Sequence, residues 1–138
     1  MRVVLDTNVL ISAVFFGGTP GRIIAAWSER RIQLVLSASV LAEYREVGAE
    51  IEAKYGGQDF EAFVTLLAVN SDLIDAPEYL DPQVCSDVDD DKFLACATAG
   101  AAQVIISGDA ALRATSGWRG IEVLTPRQFV DKHLSVTG

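Results

Sequence analysis

Four acidic positions have the chemistry for metal-assisted hydrolysis. They are Asp6 after Val3-Val4-Leu5, Glu43 within Ser39 to Tyr44, Asp91 opening Asp91-Lys92-Phe93-Leu94-Ala95, and Asp109 after Val104-Ile105-Ile106-Ser107-Gly108. Each follows or begins an apolar segment, so a buried element fixes it while leaving it at that element's end. Open α/β sheets put ligand groups at such ends. Carboxylates gathered in one cleft repel unless a cation binds or a proton is shared. Oxygen donors with no His or Cys beside them favour Mg²⁺ or Mn²⁺ over zinc. A cation so held lowers the pKa of a water and offsets charge on a leaving oxygen, which suits phosphodiester hydrolysis.

The elements that must position these acids can be read from the chain. Arg2 to Leu5 reads as a central strand, with a loop or short helix over Thr7 to Phe16. Gly17 to Gly21 punctuates, and Thr19 and Pro20 are placed to cap and start a helix over Arg22 to Glu29. Ile32 to Leu36 reads as a strand, and Ser37 or Ser39 caps the helix that carries Glu43. Apolar residues at Phe60, Phe63, Val64 and Leu67 predict a helix over 59–69, followed by a short strand at Leu73-Ile74. An irregular stretch with Pro77, Pro82 and the Asp cluster leads to a helix over 90–99. A strand at Val104 to Ile106, a short helix from Ala110, a strand at Ile121 to Leu124 and a helix after Thr125-Pro126 complete the reading. Strands alternating with helices predict parallel pairing with both sheet faces covered. If the strands ending at Leu5 and Ile106 are neighbours, Asp6 and Asp109 meet, and Asp91 approaches from the first turn of its helix.

The 138 residues, 50% hydrophobic, fit one domain over 1–134 with a frayed tail at 135–138. No long apolar run is present, so neither export nor a membrane span is expected. Cys85 and Cys96 do not form a disulfide framework and fit a cytoplasmic setting. Against 11 Lys plus Arg stand 19 Asp plus Glu, a formal net charge of −8, which opposes unaided binding of nucleic acid. The dense group Asp87, Asp89, Asp90 and Asp91 weakens that objection, because bound metal reverses the field a phosphate meets. Thr7 and Asn8 can donate to Asp6 or to a phosphate, and Ser107 can orient Asp109, although cap and turn duties explain all three equally well.

With these residues in view, the chain resembles the PIN-domain nucleases, in particular a bacterial and archaeal group of toxin components from toxin-antitoxin pairs. The resemblance is carried by Leu5 to Ser12, by Ser39 to Tyr44, by Asp87 to Leu94, and by Ser107-Gly108-Asp109 with Leu112. Ile121 to Pro126 and Phe129 add to it. Val88 and Ser107 depart from the group's usual Pro and Thr. The resemblance implies a three-layer α/β/α domain with a mainly parallel central sheet. It also implies Mg²⁺ or Mn²⁺ held by Asp6, Glu43, Asp91 and Asp109, with Asp90 supporting Asp91, and cleavage of RNA. Homodimerisation and inhibition by an antitoxin protein follow from the same likeness. Two other functions compete. One is an aspartyl-phosphate phosphatase using Asp6, which lacks a second acid two residues later. The other is a non-catalytic, metal-stabilised interaction domain that recruits a basic partner. In the dimer, Arg22, Arg30 and Arg31 would lie at the cleft rims.

Overall fold

A computed structural model describes residues 1–57 and 59–135. Five parallel strands form one sheet: β1 (Arg2–Leu5), β2 (Gln33–Leu36), β3 (Asp72–Leu73), β4 (Val104–Ile106) and β5 (Glu122–Leu124), in the order β3-β2-β1-β4-β5. Val3, Val4, Val35, Ile105 and Ile106 are fully buried. Strands covered on both faces read as unbroken apolar runs for this reason. Helices α1 (Thr7–Phe15), α2 (Gly18–Ser28), α3 (Ala38–Tyr55), α4 (Phe60–Val69), α5 (Asp91–Ala99), α6 (Ala110–Arg113) and α7 (Pro126–Phe129) cover the sheet, giving the expected α/β/α layers. The last helix continues as a π turn over Val130–Leu134. No single described helix is long and apolar enough to cross a membrane.

The chain builds β1, β2 and β3 in one direction across the sheet, then returns to the other side of β1 for β4 and β5. That reversal opens a crevice at the carboxyl ends of β1 and β4, the place where doubly wound sheets hold ligands. Leu5 pairs with Ile106, and the Asp6 N–H extends the ladder to the Ile106 carbonyl at 2.9 Å.

Two contacts set α3 against this edge. Ser37 caps the helix, accepting the Val40 N–H at 3.3 Å. The buried Tyr44 hydroxyl then donates to the Leu5 carbonyl at 2.5 Å, tying the second turn of α3 to the end of β1. Further along α3, Gly48 makes room for α4, because a Cβ there would lie 2.0 Å from the Phe60 ring.

Several expected boundaries shift. Helix α2 starts at Gly18, and its cap is Gly17 at φ +74°, so Thr19 and Pro20 fall inside the first turn and Thr19 does not cap. A backbone with positive φ is one that glycine adopts readily, and the Gly17-Gly18 pair supplied it earlier than Pro20 suggested. Thr125 and Gln128 form the capping box of α7. Of the tail expected to fray, 136–138 lies outside the described residues.

Candidate metal-binding cleft

Asp6, Thr7, Asn8, Glu43, Val47, Asp87, Asp90, Gly108 and Asp109 line a cavity of about 490 Å³ at the crevice. Asp6 follows β1 and occupies the cap position of α1, yet its side chain makes no cap bond. Instead it accepts the Ser107 hydroxyl at 2.6 Å, while the same Ser107 oxygen accepts the Asp109 N–H at 2.9 Å. Ser107 thus ties the ends of the two neighbouring strands together and aims Asp6 into the cleft. Burial raises the Asp6 pKa, with the Ser107 bond opposing and the charges of Glu43 and Asp109 adding to the rise. Asp109 keeps a capping role, accepting the Ala111 N–H at 3.3 Å.

Glu43 reaches the cleft from α3 and is held on both sides. One carboxylate oxygen accepts the Thr7 hydroxyl, and the other pairs with Lys92 Nζ at 2.8 Å. Asn8 is exposed at the mouth.

The third acid differs from the expectation. Asp91 is fully buried, and its two oxygens accept the N–H groups of Val84, at 3.0 Å, and Cys85, at 2.7 Å. Asp91 faces the loop that approaches α5 and is not among the residues lining the cleft. The physical reason lies in that loop, whose buried backbone donors need acceptors. Asp90 faces the cleft instead, at the end of a 3-10 turn over Val88–Asp90 that Asp87 caps through the Asp89 N–H. Sequence could not phase this turn, because every residue from Asp91 to Ala97 is buried and α5 shows no polar face to orient it.

Asp90 Oδ2 is buried with no hydrogen-bond donor. Burial, then the neighbouring Asp109 carboxyl, pushes the Asp90 pKa up to about 8. Asp109 moves down, chiefly through its interaction with the Asp90 carboxyl. Carboxyls this close disfavour each other's ionisation, a repulsion that a shared proton or a bound cation relieves. Among the described residues, no three Asp, Glu, His or Cys side chains stand as a finished ligand set. An acceptor oxygen buried without a donor, beside two further carboxylates, nevertheless fits a hard divalent cation.

Sequence reasoning passed over Asp87 and Lys92 as site residues. Asp87 enters the sequence reading only as one of the dense acid group, and the fold sets it beside Asp90 on the cleft. Lys92 sits in a helix whose apolar neighbours predicted burial, and a buried lysine requires an anionic partner, so that signal was present. Of Arg22, Arg30 and Arg31, expected at the cleft rims of a dimer, none lines the cleft within this chain. Arg30 and Arg31 precede β2 at the amino edge of the sheet, where Arg31 donates to the Leu134 carbonyl at 3.3 Å. Arg30 lines a separate depression of about 470 Å³ with Trp27 and Gln33, on the side of the sheet away from the acids.

Cys85 and Cys96 are free and buried, and burial pushes both thiols up to about 12. Neither is placed to act as a nucleophile, which would need a thiolate.

Comparison with known proteins agrees with the topology and the cleft. An uncharacterized protein of Methanocaldococcus jannaschii is 32% identical over 143 aligned positions, which cover 96% of this chain and 91% of that protein. The family model described as PIN domain matches residues 2–111, a span that contains the cleft acids Asp6, Glu43, Asp90 and Asp109, and the chain belongs to the PIN-domain family.

Proposed function

We propose that this PIN domain is a metal-dependent endoribonuclease whose working acids are Asp6, Asp90 and Asp109, with Glu43 beside them. The observation that carries the reading is the meeting of Asp6, Asp90 and Asp109 on one cleft, with an Asp90 oxygen buried and without a hydrogen-bond partner. Those three acids would hold Mg²⁺ or Mn²⁺, and Glu43 would act in direct contact or through water. When bound, the cation supplies an activated water and positive charge against the phosphate. Ser107 keeps Asp6 aimed inward, and Thr7 does the same for Glu43. Asn8 at the mouth can donate to a phosphate oxygen. Asp91 has a structural part, holding the loop against α5 so that Asp90 is presented.

The test is cleavage of an RNA panel with Mn²⁺ by the wild type, D6N and D90N. Loss of cleavage in both variants, with folding retained, supports the reading. Activity equal to wild type in either variant refutes it. A role as the toxin of a toxin-antitoxin pair belongs to the same proposal. Growth arrest on expression, abolished by D6N, would support that part.

A further inference from the structure

Lys92 is a cation built into the acid site. It stands in the first turn of α5, two residues after Asp90, and is only 7% exposed. Its ammonium lies 2.8 Å from Glu43 Oε1, bridging α5 to α3. Glu43 is its one ion-pair partner among the described residues. Lys92 is not among the residues lining the cleft, and its direct bond into the site is to Glu43. Its charge reaches the neighbouring acids through space.

The pair has two consequences for the site. Together with the Thr7 hydroxyl, Lys92 engages both oxygens of Glu43 and fixes how that carboxylate is presented. A carboxylate has about four lone-pair positions, so two bonds leave Glu43 able to contact a cation or its water, but only in the orientation the clamp allows. Lys92 also cancels one negative charge beside Asp6, Asp90 and Asp109. Its charge therefore weakens attraction for a divalent cation while its bond improves the placement of Glu43.

We infer that Lys92 is a positioning residue for the proposed nuclease, clamping Glu43 through the ion pair and lowering metal affinity in exchange for a fixed geometry. The inference rests on the nuclease reading. It predicts effects of opposite sign on binding and turnover, whereas structural damage would weaken both.

The experiment compares wild type, K92M, E43Q and E43Q/K92M by Mn²⁺ calorimetry and by RNA cleavage, with circular dichroism to check folding. Methionine is close to lysine in volume and carries no charge. K92M should bind Mn²⁺ roughly tenfold tighter, the scale on which one nearby charge couples to a bound ion. Its kcat should fall roughly tenfold with KM little changed. On the E43Q background, adding K92M should cost no further turnover, since the part of its role that serves turnover, placing the Glu43 carboxylate, is already lost. The double variant removes both charges together, so it keeps the test valid if K92M alone does not fold. Mn²⁺ binding by K92M no tighter than by wild type overturns the inference alone, as does a further loss of kcat in E43Q/K92M relative to E43Q. A wild type that binds no Mn²⁺ overturns the nuclease reading and this inference with it.

Discussion

Adjacent aspartates with opposite duties give the sharpest test of the site. Asp91 uses both oxygens to accept the N–H groups of Val84 and Cys85 in a fully buried position, whereas Asp90 lines the cleft and has a buried oxygen without a hydrogen-bond partner. In D91N one oxygen becomes an NH₂ group, so one backbone donor meets another donor. A hydrogen bond to a charged group contributes about 1.5–3 kcal/mol, and leaving a donor buried adds to the loss, so D91N should cost about 2–4 kcal/mol. For a chain of this size that lowers Tm by roughly 6–12 °C. D90N removes a carboxyl that burial and Asp109 already disfavour as an anion, so metal-free stability should hold or rise. Its Mn²⁺ response should vanish, whereas the wild type should gain about 2.7 kcal/mol at a hundredfold excess over Kd. RNA cleavage by D90N should fall by roughly a hundredfold or more, the scale of losing a metal's contribution to the transition state. Thermal unfolding with EDTA and with Mn²⁺, alongside cleavage by folded protein below each Tm, reads all of these. The assignment is refuted if D91N keeps its Tm while losing the Mn²⁺ response, or if D90N melts early but still cleaves.

Metal-free stability should fall as pH rises. The Asp90 pKa is raised from 3.8 to about 8 in the fold, so its contribution is fully present below about 4 and is lost as pH climbs through about 8. The lowered pKa of Asp109 offsets part of this, and D90N should flatten the Tm profile measured in EDTA. G48A should destabilise by about 1–3 kcal/mol, because its Cβ would lie 2.0 Å from the Phe60 ring, and a denaturant midpoint unchanged from wild type would contradict that packing. A homodimer remains our proposal for the assembly, supported by Phe16, Tyr55, Leu66 and Val69, which expose large apolar area. Light scattering should then give twice 14.8 kDa at micromolar concentration, and the monomer mass would refute it.

Local chemistry already written in the chain determined much of this protein. The apolar runs at Val3 to Leu5 and Val104 to Ile106, set between turn signals, read as strands buried on both faces, with the acids that follow them at their carboxyl ends. Ser37 and Thr125 mark helix starts because a side-chain oxygen next to free N–H groups has one economical use. Tertiary structure alone decided which of Asp90 and Asp91 faces the cleft. The choice depends on the Val84 and Cys85 N–H groups arriving from a loop without regular structure, and a helix buried all the way from Asp91 to Ala97 gives no amphipathic phase from which to infer it. Which acid a buried Lys92 would meet was equally out of reach, since Lys92 and Glu43 are 49 residues apart and meet only where α3 and α5 flank the same sheet edge. Tertiary structure also separated Arg30 and Arg31 from the acids, because a helix and a strand that follow one another exchange the edge on which their connection lies.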